Sequence, residues 1–348
     1  MNDSMRYACA SCGGPLDTEA GGWKCRACAA SWPVRDGIPF FSARDYYFAD
    51  VTEPEMDKLL AETAARGWKP AAHDFLRGTN PGSYKLAGDE SRSDWKFLFP
   101  LTPETSVLDL GSGLGSIAFS LSRRCGKVVA MDISAKRLKY LSLRAAQEGT
   151  SNIFPVFGGD APRLPFPDGS FDLVVLNGVL EWLGLFGGEK DPREVQLEKL
   201  REIHRVLRPG GSVYVGIENR TGYVYFFGGM DHGGTRFTTL MPRFMADLAC
   251  RLTGRGSYRT YTYTEAGYRK LFSEAGFSSA EFYATIPSYR DVYFLAPLRD
   301  ARILDHFFAR LFQAPSLRRR VLRFGARLLL KLRIFRHFVP EMGIVVRK

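Results

Sequence analysis

The stretch SVLDLGSGLGSIAFSLSRR (106–124), followed by KVVAMD (127–132), carries the reading on which the fold turns. Val107, Leu108 and Leu110 make a short apolar run that stops at Gly111, Gly113 and Gly115, and helical periodicity takes over from Ile117. Strand, glycine turn, helix and second apolar strand together predict a βαβ unit. Working outward, IFPVF (153–157), FDLVVL (171–176) and GSVYVGI (211–217) read as further strands. AKRLKYLSLRAAQE (135–148) and PREVQLEKLREIHRVL (192–207) read as helices between them. Continuously apolar strands alternating with helices predict an α/β fold whose mostly parallel sheet is covered on both faces. Ligands then bind beyond the C-terminal ends of the strands.

The residues at those ends suit a nucleoside. The glycine spacing is G-x-G-x-G, not the G-x-G-x-x-G of dinucleotide folds. Glycines there permit a tight turn and let a ligand lie on bare backbone at a helix N-terminus. Asp132 ends the second strand, 21 residues after Gly111, where a carboxylate can accept both ribose hydroxyls. Asp160, in FGGDAPRLPF, follows the third strand and can reach an adenine amino group. Asn177 and Gly178 follow the fourth, and Asp109, just before the glycines, can hold an ammonium group.

VLDLGSGLGS, VVAMD, GGDAPRLPFPDGSFDLVVLNGVLEWL and EIHRVLRPGGSVYVGIENR, in that order, resemble the successive motifs of class I S-adenosylmethionine-dependent methyltransferases of the type 11 branch. The resemblance covers roughly 95–295, with the end of the sheet expected at MGIVVRK. It implies a Rossmann-like, seven-stranded sheet and S-adenosyl-L-methionine as methyl donor. Asp109, Gly111, Ser112, Gly113, Gly115, Asp132, Ile133, Asp160, Ala161, Asn177 and Gly178 would then line the donor site. Ser112 stands where many members have Cys, which leaves the backbone role of the loop unchanged.

Ahead of this lies C-x2-C, twelve residues, C-x2-C: Cys9, Cys12, Cys25 and Cys28. Four thiolates on paired knuckles read as a closed structural zinc site, with redox C-x2-C motifs the alternative. So short a segment cannot bury enough apolar area alone, so the metal would supply most of its folding energy. LDTEAGGWKCRACAASWPVRDGIPFF (16–41) resembles the small zinc-ribbon proteins that partner tRNA and protein methyltransferases. Trp23 and Trp32 are expected to pack the ribbon core. The domain expectation is a ribbon at 1–41, a helical lead-in at 42–100, a methyltransferase domain at 101–298, and a basic helical segment with the last strand at 299–348. The Gly-rich stretch 78–94 reads as a loop.

The chain has 48 Lys plus Arg against 37 Asp plus Glu. Residues 299–348 hold 13 of the former and 3 of the latter, so the body is nearly neutral. A protein tracking a long polyanion spreads basic surface over its fold, which weighs against RNA as the partner. MNDSMRYACASCGG has no apolar h-region and no run of eighteen apolar residues occurs, so a cytoplasmic protein is expected.

Methyl transfer from a sulfonium needs alignment and, for a hydroxyl acceptor, removal of a proton. The insert ENRTGYVYFFGGMDHGGTRFTTLMPRF (218–244) resembles methyltransferases of bacterial glycan and secondary-metabolite assembly. His232, paired with Asp231, reads as a general base, with a plain surface turn the alternative. Glu181, just after Asn177, is a further catalytic candidate. Tyr258, Tyr261 and Tyr263 line an acceptor cleft or cover the sheet. In LRRRVLRFGARLLLKLRIFRHF (317–338), Leu317, Val321, Phe324, Leu328, Leu332 and Phe335 share one helical stripe, with Arg319, Arg320, Arg323 and Arg327 opposite. Either the stripe docks on the fold, or the helix lies on an anionic membrane or meets a lipid-linked acceptor, peripheral to the inner face. Three functions remain open: a methyltransferase acting on O or N of a small molecule or saccharide, an RNA methyltransferase, and a non-catalytic adaptor of the same fold.

Overall fold

The computed structural model describes residues 5–47, 51–79, 81–161, 163–311 and 316–348. Its strands are β1 (Leu16–Glu19), β2 (Gly22–Cys25), β3 (Ser31–Arg35), β4 (Ile38–Pro39), β5 (Ser106–Leu110), β6 (Lys127–Asp132), β7 (Ile153–Phe157), β8 (Phe171–Asn177), β9 (Leu207–Glu218), β10 (Ser279–Ser288), β11 (Asp291–Pro297) and β12 (Glu341–Arg347). The chain divides into two compact units, 1–176 with 198–213 and 348, and 177–197 with 214–347.

In the first unit the strand order is β9-β8-β5-β6-β7. The β5–β6, β6–β7 and β5–β8 pairs are parallel. β5 is buried along its whole length, which is why it reads as an uninterrupted apolar run. The helix Glu53–Arg66 starts at a capping box between Thr52 and Glu55 with Pro54 in its first turn. Its Met56 and Leu59 join Ala71, Leu76, Ala87 and Tyr140 in one cluster.

The stretch 78–94 is not a loop: apart from residue 80 and the cap residue Asp89, it lies in helical turns at Arg77–Thr79, Pro81–Gly88 and Glu90–Leu98. Ala87 sits in the core, its carbonyl accepts from Arg144 Nη1 at 2.6 Å, and Asp89 caps the next turn through Ser91 N. Core packing overrides a Gly-rich composition here.

The ribbon is a small antiparallel sheet in the order β1-β2-β3-β4, with Trp23 opposite Trp32. It adds to the edge of the larger sheet within the same unit. Phe40 bridges Phe157 in parallel, Phe41 N donates to Phe157 O at 2.9 Å, and Ala8 N donates to Pro165 O at 3.0 Å. Phe41 is fully buried, with ring centroids 5.1 Å from Tyr7, 6.1 Å from Trp23 and 5.7 Å from Trp32. The tryptophans therefore pack the ribbon onto the body through one phenylalanine.

In the second unit the order is β11-β10-β12-β9, with β10 antiparallel to both neighbours. The hairpin strand β11 makes eight strands in all where the resemblance implied seven. Helices Arg243–Leu252, Glu265–Glu274, Ala301–Leu311 and Leu317–Lys331 complete the unit. The expected helix at 317–338 breaks at Arg333, whose φ of 59° ends it before a last turn at Phe335–Phe338. Most of its stripe does not dock: Leu317, Val321, Phe324, Leu328 and Leu332 are exposed, whereas Phe335 is half-buried with its ring 5.1 Å from that of Phe308, and Leu330 is buried. Arg319 lies outside the side chains described. No helix of the described residues is long and apolar enough to cross a membrane.

Replacing Phe41 by Ala should cost about 3–5 kcal/mol, the usual range for a fully buried aromatic. Denaturant unfolding followed by tryptophan fluorescence, which reports Trp23 and Trp32, measures it.

Candidate functional site

In the first unit Gly111, Gly113 and Gly115 all take positive φ, at 78°, 56° and 90°. At Gly115 a Cβ would also come within 3.0 Å of Leu141 and 3.2 Å of Phe119, so the turn into the helix Ser116–Ser122 excludes a side chain. Gly111 N and Ser112 N both donate to Met131 O, at 2.7 and 3.1 Å, which ties the loop to β6. Asp132 accepts from Gly113 N at 2.8 Å and Ser134 N at 2.9 Å. Its carboxylate thus shapes the loop, and the remaining lone pairs leave room for the ribose contact that the resemblance implies.

Several buried polar atoms have no hydrogen-bond partner among the described residues: Asp109 Oδ2, Ser112 Oγ and Asp160 Oδ1 here, and Asn177 Oδ1 in the second unit. Such orphans are costly unless a ligand answers them. Their chemistry is compatible with the donor, since the carboxylate of Asp109 could accept from an ammonium and that of Asp160 from an amino group. Burial, followed by the nearby Asp132 charge and opposed by Arg92, pushes the Asp109 carboxyl up to about 7. Asp160 Oδ2 accepts from Ser42 Oγ at 3.1 Å. Ser42, on the segment leaving the ribbon, has no sequence signal. Ile133 and Ala161 sit beside these residues; Ile133 O accepts from Tyr46 N, and Ala161 O from Lys199 Nζ at 2.6 Å.

Cys9, Cys12, Cys25 and Cys28 converge: Cys9 and Cys28 sulfurs lie 3.6 Å apart, Cys12 and Cys25 sulfurs 3.5 Å. These are far longer than a disulfide and close to the ~3.8 Å edge of a tetrahedron with ~2.3 Å metal–sulfur bonds. Gly14 N and Ala27 N each approach a sulfur at 3.4 Å, so the knuckles are formed. The four residues fit zinc.

The second unit holds a cluster of another kind. Glu218 ends β9, Glu181 lies in the turn Leu180–Phe186 just after β8, and His232 comes from the insert. His232 Nε2 lies 3.0 Å from Glu218 Oε2 and 3.7 Å from Glu181 Oε1. The Trp182 ring packs 4.5 Å from the imidazole. Tyr289 donates its hydroxyl to Glu218 Oε1 at 2.9 Å. Burial, then the Glu218 charge, pushes Glu181 up to about 8. Burial works against ionisation of Glu218 and His232 too, yet their mutual attraction prevails: Glu218 is held low and His232 raised.

The expected Asp231–His232 pair is not formed. Asp231 is taken up by its own loop, accepting from Thr235 N and Oγ1 at 3.1 Å and from the hydroxyls of Thr238 and Thr239. Successive residues of a turn point different ways, so Asp231 shapes the loop while His232 meets Glu218. Asn219 and Arg220 are also anchors: Asn219 Nδ2 donates to Val339 O at 2.8 Å, and Arg220 donates to Thr239 O and Met241 O. The sequence offered Glu218 only as the first residue of the insert, and gave no signal for Tyr289, which arrives from the β10–β11 turn. The tyrosines settle as packing: Arg243 lies 4.0 Å over Tyr261, Tyr258 is buried, and Tyr263 donates to Gln196 at 2.6 Å. Asn177 belongs to this neighbourhood, since a Cβ on Gly216 would come 2.1 Å from its Oδ1 and 3.2 Å from Tyr289.

A family model for a methyltransferase domain matches residues 108–215. Those residues are a class I S-adenosylmethionine-dependent methyltransferase domain. The chain is 38% identical over 188 residues to the ubiquinone/menaquinone biosynthesis C-methyltransferase UbiE of Xanthomonas oryzae, covering 51% of this chain and 66% of that protein. It is 37% identical over 111 residues to the demethylmenaquinone methyltransferase of Lactococcus lactis, covering 31% and 40%. It is 31% identical over 199 residues to the 2-methyl-6-phytyl-1,4-hydroquinone methyltransferase of Synechocystis, covering 53% and 56%. The chain thus spans between 40% and 66% of the length of these curated relatives.

With Asp109 on the donor ammonium, as the resemblance implies, donor binding is expected to depend on pH. With its pKa raised in the fold, Asp109 is neutral below about 7 and ionises only as pH rises through that value. An ammonium needs the ionised form, so S-adenosylmethionine affinity should fall by about tenfold per pH unit below 7. The free fold, conversely, loses stability as pH rises through the same range. Calorimetric titration from pH 5 to 8 tests this, and Asp109→Asn should flatten the curve.

Proposed function

We propose that the protein is an S-adenosylmethionine-dependent methyltransferase that methylates a hydroxyl or amine of a small molecule or saccharide. The Glu181–Glu218–His232 cluster, at the C-terminal ends of β8 and β9, carries this reading. Donor-side residues answer a nucleoside and an ammonium, and the acceptor meets a cluster of two carboxylates and an imidazole that promotes the loss of its proton. The sulfonium is already an activated leaving group, so alignment supplies most of the rate. The ribbon would hold one structural zinc through its four cysteines. Incubation with radiolabelled S-adenosylmethionine and cell extract should place the label in the small-molecule, saccharide or lipid fractions. His232→Ala should cut turnover by ~10²-fold or more while donor affinity holds. Label only in RNA would overturn the acceptor class.

We propose further that the protein works at the inner face of an anionic membrane, on an acceptor that is lipid-linked or lipophilic. Eighteen of the nineteen exposed large hydrophobic residues described belong to the second unit. They include Phe244, Leu248 and Leu252 on one helix and Val321, Phe324 and Leu328 on another. The second helix lies in the segment that holds nearly all the net positive charge. Apolar side chains beside arginines complement an anionic interface, where each basic group contributes ~1 kcal/mol. Liposome co-sedimentation should show binding to anionic vesicles that salt releases; no binding, or equal binding to neutral vesicles, would rule it out.

A further inference from the structure

The geometry points to a divalent metal site at Glu181, Glu218 and His232, which would hold a cation such as Mn²⁺, Fe²⁺ or Zn²⁺ against the acceptor. This rests on the reading above that the acceptor is bound at this cluster. The ligand atoms all lie within 4.8 Å of one another. Glu181 is fully buried, and neither of its carboxylate oxygens has a hydrogen-bond partner among the described residues. Glu218 Oε2 and His232 Nε2 are buried and pair with one another at 3.0 Å, with no further partner for either atom among the described residues beyond Glu181. Two carboxylates placed together in the interior need compensation. Four atoms gathered this closely, with both Glu181 oxygens unsatisfied, are arranged for a centre that they share.

The surroundings are those of a ligand set. Tyr289 takes Glu218 Oε1 and leaves Oε2 for the ion. Arg290 Nε in turn reaches the Tyr289 hydroxyl at 3.3 Å, and the Asp231 anchors fix the loop that delivers His232. Such outer partners orient ligands. Two carboxylates with one imidazole suit the borderline first-row divalent ions better than Ca²⁺, which prefers oxygen alone. Three protein ligands leave positions open, as in catalytic sites, and the thiolate ribbon is closed by contrast. An acceptor hydroxyl in an open position would lose its proton to solvent, keeping the O–H electron pair on oxygen. That pair forms the O–C bond while the C–S bond breaks and its electrons stay on sulfur, giving S-adenosylhomocysteine.

The test uses the full chain with its ribbon zinc-loaded. Mn²⁺, a poor thiolate ligand partner, is titrated and the free ion is followed by electron paramagnetic resonance. One saturable Mn²⁺ per chain is expected in the wild type. Glu181→Gln and Glu218→Gln should each weaken it by at least about 100-fold, while zinc content and S-adenosylmethionine affinity stay unchanged and report an intact fold. Should those variants misfold, His232→Asn, at a partly exposed position, gives the same reading. No saturable Mn²⁺, and no Co²⁺ or Zn²⁺ beyond one per chain, in the wild type would overturn the site, as would carboxylate variants that titrate like it. Methyl transfer at full rate after chelation would overturn it as well and leave the methyltransferase reading standing. Mn²⁺ binding without methyl transfer to any fraction would support the site and sink that reading alone.

Discussion

Glu181 is buried beside a second carboxylate, and that arrangement governs the chain beyond the sheet. A buried carboxylate is costly unless something positive or protic faces it. The imidazole of His232 meets the requirement only because its loop is held firmly. The insert has little regular structure, a short helix at Tyr223–Phe226 and one turn at Thr238–Leu240. Its order comes from side chains bonded to backbone: Asn219 to Val339 O, Arg220 to Thr239 O and Met241 O, and Asp231 to Thr235 N. The polar residues of the insert thus divide their work. Glu218 and His232 face the cluster, and Asn219, Arg220 and Asp231 secure the chain that presents them.

Much of the fold was legible because buried parallel strands leave a plain signature. β5, β6 and β7 fall on the residues expected, and β8 and β9 differ only at their ends. The stretch 78–94 was misread because composition speaks of local preference, whereas Ala87 is held by the packing of a distant helix. Periodicity showed that Leu317, Val321 and Phe324 share a face. It carried no information on whether that face turns inward, which depends on what lies next to it. The partner of His232 was illegible for a simpler reason: adjacency in sequence favours Asp231, and only the folded chain brings Glu218 and Tyr289 to the ring.

The shared and the particular parts of the molecule separate along the sequence. The family match ends at 215, so it holds the glycine turn, Asp132, Asp160 and Glu181 but neither Glu218 nor His232. The match therefore takes in the glycine loop and one member of the carboxylate–imidazole cluster, and the other two members lie beyond it.

Asp160 is shared between two tasks. One oxygen is held by Ser42, on the segment that leaves the ribbon, and the other is buried without a hydrogen-bond partner among the described residues, where the donor reading puts the nucleoside. A carboxylate drawn on from both sides makes the two events interdependent, and such coupling is reciprocal. On the donor reading proposed above, whatever steadies the ribbon would pre-set the contact to adenine, and an adenine in place would make the ribbon harder to peel away. The four-cysteine appendage would then be part of the thermodynamics of cofactor capture and not a bystander fused to it.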